Sequence, residues 1–179
     1  MDNGESSYRR YLDGDEHAFD EIQRMYFDRL TFFADRYLHD VHAAEDVAID
    51  TLLQLIIHKK RYNFKTSLKT YLYTIAHNMA VNVLKKRSRA MLVEVAEDLA
   101  DRKELENELL DSERKRCLNA ALQTLPEDIR EAVYLVYFED LSYEETAAVL
   151  GCGRKKVDNM LYRGKSLLRK ALEKEGWEE

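Results

Sequence analysis

The stretch that decides the fold covers residues 142–172 and reads SYEETAAVLGCGRKKVDNMLYRGKSLLRKAL. Ser142 and Glu145 form a capping-box pattern, in which a hydroxyl and a carboxylate each bind a backbone N–H at the start of a helix. Gly151 stands where this short helix must end, because glycine takes the left-handed conformation of a helix end without strain. A long helix is predicted from about residue 154 to residue 173. A short helix, a tight turn and a long basic helix together indicate a helix-turn-helix.

The long helix of this motif is strongly basic. It carries seven Lys or Arg residues and the single acid Asp158 between residues 154 and 170. In a helix-turn-helix the second helix lies in the major groove, where Asn159 and Arg163 can form paired hydrogen bonds with base edges. Lysines contact phosphates more readily. The alternative is a plain antiparallel helix pair with a basic exposed face. The residues predicted to contact DNA are Ser142, Arg154, Lys155, Lys156, Asp158, Asn159, Tyr162, Arg163 and Lys165.

A second basic block covers residues 51–93, which contain nine Lys or Arg residues and no Asp or Glu. The whole chain of 179 residues nevertheless has a net charge of −6. Two separate cationic patches on an acidic background predict two contacts with one polyanion, and nucleic acid is the best candidate.

Within this block, a helix is predicted over residues 68–87, with Leu68, Leu72, Ile75, Met79 and Val83 as its buried seam and a polar stripe beside it. Residues 61–66, here called the aromatic loop, place aromatic rings beside cations and amides. Such rings stack on unpaired bases. The residues predicted to contact nucleic acid in this block are Arg61, Tyr62, Asn63, Phe64, Lys65, Tyr71, Thr74, Asn78, Asn82, Lys85, Lys86, Arg87 and Arg89.

The helix predicted over residues 43–58 has an unusual surface. Asp46 and Asp50 stand one turn apart. Such a like-charge pair destabilises an isolated helix by roughly a few tenths of a kcal/mol. Beyond Thr51 the helix is apolar nearly all round, which indicates more than one neighbour. We therefore expect a protein partner that offers cations next to an apolar surface. The residues predicted to bind it are Glu45, Asp46, Asp50, Leu53, Gln54 and Ile57.

The remaining features predict an all-α protein. Glycine is scarce, Pro126 is the only proline, and apolar residues recur at three- and four-residue steps, as in a first helix over residues 16–37. No segment has the roughly 20 apolar residues that span a bilayer. Neither a signal peptide nor a membrane insertion is expected, so the predicted location is the cytoplasm.

No cofactor, metal or catalytic residue is predicted. Cys117 and Cys152 lack metal-ligand spacing and are expected to be reduced thiols. His39 and His42 are one turn apart but have no evident third ligand. The sequence contains no nucleophile elbow and no phosphate-binding glycine loop.

A change of composition divides the chain. Residues 94–113 contain nine acids against Arg102 and Lys103. The predicted organisation is an N-terminal tail over residues 1–14, a helical domain over 15–90, a linker over 91–111 and a second helical domain over 112–175. The acidic segment is either a solvated spacer, or a segment that occupies a cationic channel or masks a DNA-binding face until a partner arrives.

Two groups of motifs resemble a known family. HAAEDVAIDTLLQ (residues 42–54), YLYTIAHN (71–78) and NVLKKRSR (82–89) are similar to region 2 of bacterial sigma factors of the extracytoplasmic-function (ECF) group. LQTLP (122–126) and LSYEETAAVLG (141–151) are similar to region 4 of the same group. The motifs follow each other in the order and spacing of that family.

The resemblance implies an ECF sigma factor that binds core RNA polymerase, recognises the −35 and −10 elements of promoter DNA and initiates transcription of a stress or signal regulon. The helix from Ala43 would then bind the polymerase clamp, the aromatic loop would hold a non-template base of the −10 element, and the helix-turn-helix would bind the −35 element and touch the polymerase flap. An anti-sigma factor is a further implied partner, and the chain is expected to be monomeric when free of partners.

Three departures from the family pattern bear on promoter choice. Tyr71 stands where the family often has Trp. Asn82 replaces the usual Asp, and lysines replace some of the expected arginines after it. The recognition helix differs from the family pattern at Gly153 to Lys156 and at Asp158.

The residues alone also allow two other classes of protein. One is a stand-alone helix-turn-helix regulator, and the other is an adaptor that binds a sigma antagonist without directing transcription.

Overall fold

The computed structural model describes residues 4–91 and 113–174, and within them every regular element is an α-helix. These residues form two compact units, one built from α1 to α4 and the other from α5 to α8. The predicted all-α class is confirmed. The predicted acidic linker lies outside the described residues except for Met91. The helices are α1 Glu5–Leu12, α2 His17–Leu38, α3 Val41–Ile57, α4 Leu68–Met91, α5 Glu113–Gln123, α6 Glu127–Tyr137, α7 Tyr143–Val149 and α8 Arg154–Lys174.

The first unit is built on an antiparallel pair, α2 and α3, which packs against α4. The turn between α2 and α3 takes only two residues. His39 adopts a left-handed conformation (φ 48°) and ends α2, and Asp40 begins α3 by accepting a hydrogen bond from the Ala43 N–H at 3.1 Å. This N-cap satisfies one of the four backbone donors that a helix start leaves without a partner. Rings from α2 and α4 meet in the core, where the centroids of Phe33 and Tyr73 are 5.0 Å apart.

The N-terminal residues differ from the predicted tail, because residues 5–12 form α1 and pack into the first unit. Tyr8 is fully buried, and burial raises the pKa of its hydroxyl to about 12. That hydroxyl lies 3.1 Å from the carbonyl oxygens of both Leu55 and Lys59. The sequence offers only one apolar turn here, since Tyr8 and Tyr11 stand among polar and charged residues. The long-range contact that orders the helix is therefore not visible in the local pattern.

The buried face of α4 is rotated from the predicted seam. Leu68 and Leu72 are buried as expected, whereas Ile75, Met79 and Val83 are only half-buried. The fully buried positions further along are Tyr73, Ala76 and Ala80. Small alanine side chains let the α4 backbone approach its neighbours closely, so the bulkier residues lie at the edge of the contact.

The second unit has its own hydrophobic core. Leu125, Ile129, Val133, Val157 and Leu161 are central to it, and all are at most 4% exposed. Pro126 is the N-cap of α6 rather than its first helical residue, with φ −52° and ψ 144°, so the helix begins at Glu127.

The local geometry of the helix-turn-helix follows the sequence closely. The Ser142 hydroxyl accepts from the Glu145 N–H at 3.2 Å, and a Glu145 carboxylate oxygen accepts from the Ser142 N–H at 2.9 Å. Gly151 has φ 60° and ends the α7 turn. Ala147, Val157 and Met160 are buried between α7 and α8. Both helix boundaries and the turn are thus set by residues close together in the chain.

A close approach between α6 and α8 occurs at Gly164. A Cβ added there would lie 2.9 Å from Ile129 Cγ2 and 3.2 Å from Val133 Cγ2. We expect Gly164→Ala to destabilise the second unit by about 1–3 kcal/mol, because the added methyl overpacks a filled core. Urea denaturation followed by circular dichroism measures this loss. Ser166→Ala, an exposed position on the same helix, is the control and should stay within about 0.5 kcal/mol of the wild type; equal midpoints for the two variants would contradict the packing argument.

Candidate nucleic-acid and partner interfaces

The outer face of α3 combines acids with exposed apolar side chains. Asp46 and Asp50 are exposed, and Leu53 and Ile57 continue the same face, with Ile57 64% exposed. Of the other predicted residues, Gln54 and Glu45 are half-buried, and a Glu45 carboxylate oxygen lies 3.6 Å from the exposed His42 imidazole. The structure adds Ile49 and Ile56, which are also exposed and were not predicted. We name the set Asp46, Ile49, Asp50, Leu53, Ile56 and Ile57 the α3 outer face.

The opposite side of α3 explains why this face is free. Ala44, Ala48, Leu52 and Leu55 are buried against the neighbouring helices of the first unit. The helix therefore packs one apolar stripe into the core of the first unit and exposes a second apolar stripe to solvent. Exposed apolar residues grouped beside charges are typical of a protein interaction surface.

The aromatic loop does not expose all of its rings. Tyr62 is only 3% exposed, and its hydroxyl lies 2.7 Å from the Thr66 carbonyl oxygen and 3.2 Å from Glu5 Oε1. Its ring also packs 5.0 Å from that of Tyr71. The expectation that Tyr62 stacks on a base is therefore wrong for this conformation, because the ring belongs to the core. A buried tyrosine usually places its hydroxyl on a hydrogen-bond partner, as Tyr62 does here.

The rest of the loop is available at the surface. Arg61, Asn63 and Lys65 are exposed, and Phe64 is half-buried with a left-handed backbone (φ 59°). The Asn63 side-chain oxygen accepts from the Lys65 N–H at 3.1 Å, which holds the turn between them. The loop thus offers one amide side chain, one partly open ring and two cations.

The polar stripe of α4 is largely exposed. Asn78 and Asn82 lie in its middle, and Lys85, Lys86 and Arg89 lie at its C-terminal end. Two predicted residues at its start have local roles as well. Tyr71 is half-buried, and burial raises the pKa of its hydroxyl. The Thr74 hydroxyl donates to the Thr70 carbonyl oxygen at 2.7 Å, one helical turn back.

Arg87 differs from the other cations of α4. Its guanidinium donates to Asp40 at 2.6 Å and to the Leu38 carbonyl oxygen at 3.2 Å. The Ala43 N–H and then Arg87 hold the pKa of the Asp40 carboxyl below its usual value. Arg87 therefore ties α4 to the turn between α2 and α3, a structural contact that comes in addition to its predicted role at the DNA. Asp40 was not predicted, and no local signal links residues that are 47 positions apart.

The long helix of the second unit presents one polar face. Lys155, Lys156, Asp158, Asn159 and Arg163 are all exposed there. Tyr162, 78% exposed, belongs to the same face.

Three of the residues predicted for this surface have further contacts. Arg154 pairs with Glu144 of α7 at 2.7 Å, although both side chains are mostly exposed and the pair adds little stability. Lys165 lies beside Tyr137, and a hydrogen bond to that residue raises the pKa of the Lys165 ammonium group. Ser142 is the N-cap of α7. Its hydroxyl is thus already engaged in the capping box.

Two further findings concern absences in the described part of the chain. No group of three or more His, Cys, Asp or Glu residues within residues 4–91 and 113–174 is arranged to hold a metal ion. Over the same ranges, no helix has the length and apolar character needed to cross a bilayer.

Comparison with known proteins gives consistent matches in both units. The family model described as Sigma-70 region 2 matches residues 22–90, and the one described as Sigma-70, region 4 matches residues 115–168. The RNA polymerase sigma-H factor of Pseudomonas aeruginosa is 31% identical over 171 residues, which cover 89% of each chain. The ECF RNA polymerase sigma-E factor of Haemophilus influenzae is 28% identical over 172 residues, again 89% of each.

Among solved structures, a similar one is the co-crystal structure of the sigma factor RpoE in complex with the anti-sigma factor NepR from Bartonella quintana. It has a TM-score of 0.66 and 26% sequence identity, and the match covers 87% of this chain and 96% of that chain.

The role of Arg87 leads to a stability prediction. We expect Arg87→Ala to lower the free energy of unfolding by about 1–2 kcal/mol, because it removes a partly exposed ion pair and a hydrogen bond to the Leu38 carbonyl. Lys86→Ala removes the same charge from an exposed neighbouring position and should change stability by less than about 0.5 kcal/mol. Urea denaturation of both variants measures the difference. Equal stabilities would return Arg87 to the set of free cations.

Proposed function

Because the chain belongs to the extracytoplasmic-function group of RNA polymerase sigma factors, we propose that the α3 outer face binds core polymerase while α4 with its loop and α8 hold the promoter. As a member of this family, the chain recognises promoter DNA together with core RNA polymerase and starts transcription. The assignments of individual residues below are our proposal. Each is supported by the exposure and chemistry of the side chain concerned.

The observation that carries the proposal is the α3 outer face. Asp46 and Asp50 supply negative charge, and Ile49, Leu53 and Ile57 supply an apolar surface beside it. A partner with cations next to an apolar groove is complementary to both features. The charges would steer association and set the register, and the apolar side chains would supply most of the buried area.

The −10 element is assigned to the aromatic loop and the polar stripe of α4. In our proposal Asn63 and Phe64 hold an unpaired non-template base, since an amide reads base edges and a ring stacks on the base. Asn78 and Asn82 contact the strand further along. Lys85, Lys86 and Arg89 neutralise phosphates, and Arg61 and Lys65 do so near the loop. Tyr62 supports the loop from inside and makes no contact with DNA.

The −35 element is assigned to the first turns of α8, placed in the major groove. Asn159 and Arg163 read base edges, and Lys155 and Lys156 contact phosphates. Asp158 repels phosphate but accepts a hydrogen bond from a cytosine amine, which favours an upstream element that contains cytosine at that position.

We further propose the setting in which this takes place. The chain contributes no catalytic group, so the chemistry of RNA synthesis belongs to the polymerase. It works in the cytoplasm, where the chromosome lies. An anti-sigma factor holds it as a monomer until a signal arrives, by analogy with the Bartonella quintana sigma factor solved with NepR.

Removal of both acids of the α3 outer face tests polymerase binding. We expect Asp46→Ala with Asp50→Ala to weaken the affinity for core polymerase by about tenfold or more, equivalent to about 1.4 kcal/mol or more. Promoter-dependent run-off transcripts should fall with it. Titration of labelled protein with core polymerase measures the affinity.

The matched control is Asp13→Ala with Asp28→Ala, which removes two charges from exposed positions of the same unit. It should leave affinity and transcription close to those of the wild type. Transcription that survives loss of Asp46 and Asp50 would place the docking surface elsewhere. Specific DNA binding that is independent of polymerase would favour a stand-alone regulator.

Base reading by α8 is tested separately. We expect Asn159→Ala to cost about 1–3 kcal/mol on the preferred −35 sequence and little on a sequence changed at one base pair, because a base-edge contact is lost. Lys155→Ala should weaken binding on all sequences alike, as loss of a phosphate contact does. Binding to a panel of single-substituted promoters distinguishes the two patterns. A uniform loss for Asn159→Ala would remove it from the reading residues.

A further inference from the structure

Helix α1 contacts the aromatic loop through three side chains. Glu5 Oε1 lies 3.2 Å from the Tyr62 hydroxyl. The Tyr8 ring centroid is 5.7 Å from that of Tyr62 and 6.2 Å from that of Phe64. The Arg9 guanidinium lies over the Phe64 ring, 4.0 Å from its centroid. A helix at the start of the chain thus contacts both rings of a loop more than 50 residues away.

The same helix fixes the point from which the loop departs. The last carbonyl groups of a helix have no donor within the helix. Tyr8 places its hydroxyl 3.1 Å from the Leu55 carbonyl oxygen in the last turn of α3 and 3.1 Å from that of Lys59 just beyond it. At the other end of the segment, Gly4, which is the N-cap of α1, packs closely against Leu68. A Cβ added at Gly4 would lie 3.3 Å from side-chain atoms of both Leu68 and Tyr26. The contacts of α1 therefore reach both ends of the segment that contains the loop.

The backbone of Phe64 requires such support. Its φ of 59° is left-handed, a conformation that persists in a residue other than glycine only where the surroundings hold it. Inside the protein, Tyr62 packs against the ring at 4.6 Å. Arg9 is an exposed residue and Phe64 is half-buried, so the guanidinium covers part of the ring that the core leaves open. An Arg over an aromatic face is an attractive cation–π contact.

We propose that α1 positions the aromatic loop for capture of a promoter base, with Arg9 as the positioning residue that acts through Phe64. This inference rests on the proposed function, in which Asn63 and Phe64 hold an unpaired base of the −10 element. Arg9 fixes the orientation of the Phe64 ring. The ring in turn fixes the positions of its exposed neighbours in the loop, Asn63 and Lys65. The N-terminal helix is thereby part of the machinery that opens the promoter.

The experiment measures promoter opening by the chain of 179 residues with core polymerase. The signal is the fluorescence of a 2-aminopurine base in the non-template strand of the −10 element. We expect Arg9→Ala to slow opening by about twofold to fivefold, the factor of an exposed cation–π contact. Arg9→Lys should restore most of the rate, because a lysine also places a cation over the ring. Affinity for core polymerase, measured in parallel, should be unchanged.

Arg10→Ala is the matched control. It removes the same charge from the adjacent exposed position, where Arg10 pairs with Asp15 and Glu21. Its opening rate should equal that of the wild type. Equal slowing by Arg9→Ala and Arg10→Ala would show a general charge effect and overturn the proposal.

A double-mutant cycle with Phe64→Leu separates positioning from direct contact. If Arg9 acts through Phe64, Arg9→Ala has no additional effect in the Phe64→Leu background. An undiminished effect in that background would mean that Arg9 touches DNA itself, and the proposal would be wrong. If Phe64→Leu slows opening and Arg9→Ala does not, this inference alone fails. If Phe64→Leu leaves opening unchanged, the proposed capture of a base by the loop fails, and the inference fails with it.

Discussion

Helix α3 has two apolar stripes, of which the core of the first unit covers only one, and this constraint organises the unit. Its inner stripe, represented by Ala48, Leu52 and Leu55, is buried against the rest of the unit. The outer stripe of Leu53 and Ile57 then has no place in the core and stays exposed beside Asp46 and Asp50. The first unit therefore carries an exposed apolar surface, which a partner of the kind that we propose would cover. The rest of the unit holds α3 at both of its ends.

These supports at the two ends of α3 are of different kinds. At the start, Asp40 caps the helix and pairs with Arg87 of α4, so the charge that joins the helices also completes a cap. At the end, the Tyr8 hydroxyl is within hydrogen-bond distance of the carbonyl of Leu55. The first arrangement engages Arg87 of α4, and the second brings α1 to the aromatic loop. The α3 outer face and the aromatic loop that follows α3 are thus connected through the same helix.

The sequence predicts what depends on neighbouring residues. The bounds of α2, α3 and α8, the capping box at Ser142 and the left-handed Gly151 all follow from patterns within about one turn of helix. It does not predict what depends on pairs far apart in the chain. The local pattern predicts that Tyr62 is a surface ring beside cations, yet Tyr62 is buried. It also predicts a tail where the structure has α1. Tyr8 reaches the carbonyls of Leu55 and Lys59, and Tyr62 is enclosed by Glu5 and the ring of Tyr8. These partners lie 47 to 57 residues apart in the chain, and no local pattern contains them.

Charge separation within each unit bears on how a protein of net charge −6 uses DNA. At physiological ionic strength the field of a patch is screened within about 8 Å, so the basic faces of α4 and α8 act only once DNA is close. The acids elsewhere reduce the attraction at longer range and with it nonspecific binding by the free chain. In the complex that we propose, docking on polymerase through the α3 outer face would hold α4 and its loop near the promoter at high effective concentration. Under the same proposal, weak contacts such as the ring of Phe64 and the amide of Asn63 suffice for base recognition, and specificity is expressed mainly in the complex.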